Sequence, residues 1–291
     1  MRIRTGFRME YDCPQPVAMM GLLSVHPSRR PDLESPDTIR TSPGTNIRQF
    51  TDSFGNIATR FQAPAGRLVI ESLFVIRDKG LPDAPLPDAP ETPVDELPDD
   101  VLQYLLPSRY CDVEHLLDTA WNTFGHLPEG RPRVEAIISY AKKRIAFGYG
   151  HARNTRTAHE GHQEQVGVCR DFAHLAVTLL RCMNIPARYA TGWLGDVRIA
   201  LSPCPMDFSA WGEVWLDGAW RTFDARHESP HGVARHGRVL MAVGRDAADV
   251  AITTSFGVAN LVGFHVIADE LDPPAEFRSS TRELPPMMMA R

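Results

Sequence analysis

The chain has 291 residues, 43% of them hydrophobic, and 31 basic against 36 acidic side chains give it a net charge of −5. That is enough apolar material for one large core or two smaller ones, and so mild a charge argues against nucleic acid or a membrane surface as partner. No apolar run is long enough to span a bilayer, and residues 16–23 lack a signal-peptide cleavage pattern. Cys13, Cys111, Cys169, Cys182 and Cys204 are odd in number, with no close pair at metal-ligand spacing. Reduced thiols, a cytoplasmic location and no bound metal are therefore expected.

Residues 1–80 read as all-β. Ile3, Thr5, Phe7 and Met9 alternate with Arg4, Arg8 and Glu10, the period of a half-buried strand. Residues 46–52 and 56–62 flank Ser53-Phe54-Gly55, a hairpin signal, and residues 68–76 form a further strand. A small sandwich that packs on the rest of the chain is expected. Residues 81–110 read as a linker. Leu81-Pro82-Asp83-Ala84-Pro85 repeats as Leu86-Pro87-Asp88-Ala89-Pro90. Proline fixes φ and removes a donor, so an extended, semi-rigid spacer is expected.

Two helices follow. Val113, Leu116, Leu117, Ala120, Trp121 and Phe124 share one face of the first. Val134, Ile137, Ile138, Ala141 and Ile145 share a face of the second, and Pro132 suits its first turn. A polar loop then carries His151, His159 and His162 towards Gly167-Val168-Cys169-Arg170-Asp171. From there Phe172, Leu175, Ala176, Leu179, Leu180 and Met183 recur at helical spacing, closed by Ile185-Pro186. Cys169 thus falls in a first helical turn. Unpaired N–H groups and the helix dipole there favour a thiolate and offer donors to an oxyanion.

Residues 187–194 read as a strand. Residues 207–216 and 219–225 make a hairpin around Asp217-Gly218. In that register Trp215 faces Trp220, Trp211 faces Asp224, and Ser209 lies diagonal to Asp224 at roughly 7–8 Å. Residues 261–269 read as a last strand and 272–291 as a loose tail.

Three runs in this chain carry a resemblance: GVCRDFAHL, IPARYATGWL and DFSAWGEVWLDGAWRTFDARH. Together they resemble the bacterial transglutaminase-like proteins, papain-like cysteine enzymes, over roughly residues 130–270. Asp52-Ser53-Phe54-Gly55-Asn56 resembles part of the β-rich region that often precedes such domains. The resemblance implies an α+β chain with a papain-like transglutaminase-type domain after a β-rich N-terminal domain. The division expected is 1–80 for the β-rich domain, 81–110 for the linker, 111–271 for the transglutaminase-like domain and 272–291 for the tail.

By position the resemblance makes Cys169 the nucleophile and Asp224 the acid that orients a base. The chemistry implied is that of a cysteine protease, amidase or acyl transferase acting on a peptide or protein substrate, with no cofactor. The departure is Ser209, where the family usually has His. A serine hydroxyl does not serve as base near neutral pH. Another base, a weakened thiol, or a site retained for binding or scaffolding are the alternatives. Among the histidines, His174 lies about 140° round the helix from Cys169. His227 should alternate to the face opposite Asp224 if the strand continues. Trp211 is read as a cleft wall and Arg226, facing Ser209, as a cation beside the thiol. Both are substrate-binding candidates.

Overall fold

The structure, a computed structural model, describes residues 1–198, 206–227 and 235–274; Cys204 and the end of the expected tail lie outside them. Six strands come first: β1 (Arg2–Cys13), β2 (Val17–Leu22), β3 (Arg40–Ser42), β4 (Arg48–Thr51), β5 (Ile57–Ala63) and β6 (Gly66–Arg77). Then come α1 (Asp99–Leu102), α2 (Val113–Phe124), α3 (Arg131–Arg144), β7 (Ala146–Phe147), α4 (Ala158–Glu164), β8 (Val166–Gly167) and α5 (Cys169–Cys182). The chain continues through β9 (Ala187–Trp193), β10 (Ser209–Leu216), β11 (Ala219–Phe223), β12 (Val239–Gly244), β13 (Thr253–Ser255) and β14 (Asn260–Glu270). The strands form sheets in the orders β14-β1-β6-β3, β13-β2-β5-β4 and β11-β10-β9-β12, with a small β7-β8 pair.

The pairing corrects the expected division of the chain. The strand expected to close the second unit, β14, runs antiparallel to β1, and β13 pairs with β2. The β-rich unit begun by residues 1–80 is thus completed by residues 253–270. The reason is that β1 has two edges, and β6 covers only one of them. An unpaired edge beside a half-buried strand leaves a row of backbone groups to satisfy.

The proline-rich stretch is also more than a spacer. Leu86 is buried against the helical core. Glu91 accepts from Gly130 N and pairs with Arg133 at 3.0 Å, and Asp83 pairs with Arg238 at 2.7 Å. Proline supplies the extended backbone, and the residues between the prolines supply anchors.

α5 sits between the sheet β11-β10-β9-β12 on one side and α2 and α3 on the other, and every residue from Phe172 to Cys182 is buried. Burying a leucine contributes about 1.5–3 kcal/mol, and Leu175, Leu179 and Leu180 all lie fully within this core. The six-residue stripe expected on α2 narrows to Leu116, Ala120 and Phe124. Leu117 and Trp121 are exposed, because one i, i+4, i+8 line suffices to meet α5.

The Asp52–Asn56 turn explains its own sequence. Asp52 Oδ1 accepts from Phe54 N and Asn56 N, and Asn56 Nδ2 donates to Asp52 Oδ2. Asn56 is fully buried and bonds both backbone groups of Val243. Its Oδ1 accepts from Val243 N at 2.9 Å, and its Nδ2 donates to Val243 O at 2.8 Å. It thereby covers the free edge of β12 and locks the β-rich unit to the site-bearing sheet. A buried group left unsatisfied costs about 1–3 kcal/mol, so Asn56→Ala is expected to destabilise the chain by about 2–4 kcal/mol. Urea unfolding measures this; a shift under about 0.5 kcal/mol would show that water satisfies Val243 instead.

Candidate active site

Cys169 owes its place to the residues just around it. Val168 is extended, and its N–H donates to Asp171 Oδ2 at 2.8 Å, which closes the first turn of α5. Arg156 fixes that carboxylate at 3.1 Å. Gly167 matters here for space: a Cβ there would meet Asp171 Oδ2 at 2.6 Å. The thiol itself differs from the expectation of a resting thiolate. Burial, the largest influence, pushes Cys169 up to about 11. The Ala210 N–H and the Arg226 charge oppose that rise, while Asp207 and Asp224 add to it. That rise favours the thiol over the thiolate, so attack is helped by a proton acceptor.

The hairpin follows the expected register from Leu216 opposite Ala219 to Gly212 opposite Phe223. Asp217 and Gly218 have φ of 56° and 65°, the left-handed pair of a type I′ turn, and Trp215 pairs with Trp220. Gly212 pairs with Phe223, where β11 ends. Ser209 opens β10 opposite Gly192, buried, with its carbonyl accepting from Thr191 Oγ1 at 2.9 Å. Ala210, the next residue, packs with Cys169 and Ala173.

Asp224 follows the last residue of β11 and is 2% exposed. Its Oδ1 accepts from the backbone N–H groups of Arg226 and His227, at 3.0 and 3.2 Å. That tight turn wraps residues 225–227 around the carboxylate and brings the His227 ring to its other oxygen, Nδ1 to Oδ2 at 2.9 Å. This overturns the expected opposite orientation of His227, which held only if the strand ran on. Arg238 Nη2 also donates to Oδ2, at 3.2 Å. Burial raises the Asp224 carboxyl, but the His227 hydrogen bond and the Arg238 charge outweigh it and hold Asp224 far below the usual carboxylate range.

The two substrate-binding candidates part company. Trp211 is 1% exposed, clustered with Ala190 and Val243, and lies under the Arg238 guanidinium at 4.6 Å. It supports Arg238 and has almost no surface to offer a cleft. Arg226 does lie within electrostatic reach of the thiol, although the turn places it there and not a strand register. Its guanidinium stacks on Phe147 at 3.6 Å, beside the exposed Tyr149.

Three other histidines are occupied elsewhere. His162 bonds Tyr140 Oη at 2.8 Å, and His159 packs on His115. His174 is buried, and its Nε2 accepts from Ala247 N, so the segment after β12 clasps α5. Among the described residues no group of three or more His, Cys, Asp or Glu side chains is arranged to hold a metal ion.

Sequence reasoning missed the approach of His227 to Asp224 and the role of Arg238. A signal for the first was present in Asp224-Ala225-Arg226-His227, since an Asp at a strand end often turns the next residues onto its own carboxylate. For Arg238 no local signal exists, because it reaches Asp224 from 14 residues further along the chain.

Residues 122–225 match the family model of the transglutaminase-like superfamily. The chain is similar to a solved structure described as a putative cysteine protease from Cytophaga hutchinsonii, with a TM-score of 0.79 and 27% identity over 94% of this chain and 92% of that one. It is also similar to the uncharacterized protein ML0607 of Mycobacterium leprae (strain TN), 27% identical over 218 residues, 73% of this chain and 77% of that protein.

Proposed function

From the premise that residues 122–225 are a transglutaminase-like core, we propose that this chain is a thiol-dependent enzyme of amide acyl chemistry, acting on a peptide or protein side chain. One observation carries the reading. The Cys169 sulfur opens α5 beside the Ala210 N–H, within the field of both Asp224 and Arg226. The sulfur attacks a substrate carbonyl, and the carbonyl oxygen takes up the electron pair. The first-turn N–H groups of a helix have no partner inside it, so they are donors ready for that oxyanion. Collapse expels an amine and leaves a thioester on Cys169. Water completes a hydrolysis, or a second amine completes a transfer. Phe147 and Tyr149 give the mouth an aromatic rim suited to the apolar part of a peptide.

No helix among the described residues is long and apolar enough to cross a membrane.

A second reading, a binding or scaffold protein that kept the fold, is favoured by Ser209 alone. Incubation with p-nitrophenyl acetate followed by mass spectrometry separates the two. The enzyme reading expects an acetyl group on Cys169, absent in Cys169→Ala and lost with time as the thioester hydrolyses. Folded protein that never acylates at Cys169 would establish the scaffold reading.

A further inference from the structure

We infer that His227 is the general base of this site, taking over from the turn after β11 the task that position 209 does not perform. The inference rests on the proposed thiol chemistry and adds its missing proton acceptor.

The hydrogen bond to Asp224 carries the assignment. An ionised carboxylate only accepts, so the proton between Asp224 Oδ2 and His227 must sit on Nδ1. Nε2 then carries the lone pair, which is the tautomer a base needs. Nε2 makes no hydrogen bond among the described residues, and the side chain keeps 19% of its surface exposed. The ring is also firmly held. Two backbone N–H groups fix Asp224 Oδ1, and Arg238 fixes Oδ2 from behind. Arg238 is itself clamped by Asp83 at 2.7 Å and stacked on Trp211. The proline-rich strap, the β12 approach and the hairpin thus converge on one carboxylate.

The same turn lies beside the start of the nucleophile's helix. Arg226 stacks on Phe147 at 3.6 Å, and Phe147 pairs with Gly167, two residues before Cys169. The charges of Asp224 and Arg226 both reach the Cys169 sulfur. Attack by a thiol needs a group that takes its proton as the C–S bond forms. Nε2 takes the proton from Sγ as the C–S bond forms and the carbonyl π pair moves to oxygen. The imidazolium then returns that proton to the departing amine as the C–N bond breaks. Deacylation repeats the sequence with water or an acceptor amine, and the thiol and neutral imidazole are restored.

The test is single-turnover acetylation of Cys169 by p-nitrophenyl acetate, read as p-nitrophenolate release, in the full chain. His227→Gln keeps a donor for Asp224 but has no basic nitrogen, and it is expected to slow acylation by about 100-fold or more. His227→Ala leaves room for free imidazole, which is expected to recover much of the rate. An unchanged rate in His227→Gln, with Cys169→Ala inert, overturns the assignment while the thiol reading stands. A slow His227→Gln with no response of His227→Ala to imidazole makes His227 a mere support for Asp224, and overturns it too. Acylation that persists in Cys169→Ala sinks the thiol reading itself.

Discussion

Asp224→Asn is expected to slow acylation of Cys169 by about 10,000-fold, the scale seen when the carboxylate of a serine-protease triad becomes an amide. The cause is the tautomer. An asparagine amide placed against His227 Nδ1 donates to it, so the ring proton moves to Nε2 and the lone pair is lost from the side that must face the thiol. The exchange also leaves Arg238, 8% exposed, with Asp83 as its remaining carboxylate partner among the described residues. Breaking a buried ion pair costs about 3–5 kcal/mol when nothing replaces it, and Asp83 should reduce that cost. The two effects separate by pH. The folded-state pKa of Asp224 is depressed, because hydrogen bonds and the Arg238 charge outweigh burial. Its stabilisation is therefore complete above its unfolded value, about pH 4, and is lost as pH falls towards the folded value. Urea unfolding from pH 7 downwards should show that acid-side loss in the natural chain and a flatter profile in Asp224→Asn. A folded Asp224→Asn that acylates within ten-fold of the natural rate would remove Asp224 from the mechanism.

The parts of this site that sequence revealed are those set by local rules. The helix from Cys169 follows from apolar spacing, and the hairpin register follows from Asp217-Gly218, whose left-handed turn admits only one pairing. What escaped depends on where elements end or on contacts far apart in sequence. Alternation misplaced His227 because the hydrogen bonds to Asp224 end the strand pattern there. The thiol was misjudged because the helix terminus is a local feature, whereas burial is contributed by the sheet packed over it. β14 was assigned to the wrong unit because strand pairing has no sequence-distance limit; Arg4 meets Asp269 across the whole chain. The proline repeat reads as a spacer by composition, yet Asp83 lies between its prolines and ends at the back of the candidate site.

Ser209→His, introduced on top of His227→Ala, is expected to recover about 100-fold of the lost acylation rate, within the range a positioned base contributes. Position 209 precedes Ala210, whose N–H faces the Cys169 sulfur, so an imidazole there starts one residue from the thiol's own neighbour. Gly212 lies opposite Phe223, the last residue of β11, so Asp224 directly follows the strand paired with β10, and an imidazole at position 209 is expected to reach its carboxylate. In the natural chain that carboxylate is already taken by His227 and Arg238. Ser209→His alone should therefore change the rate by less than about ten-fold, since general-base assistance is already supplied. Removing the His227 ring frees one acceptor position on Oδ2, beside the one Arg238 keeps, and only then does the new histidine gain its orienting partner. Recovery must vanish when Cys169→Ala is added. If the folded double variant stays as slow as His227→Ala, position 209 no longer looks onto the thiol. The base would then have moved together with the geometry around it, and the substitution at 209 would mark a rebuilt site in place of a relocated base.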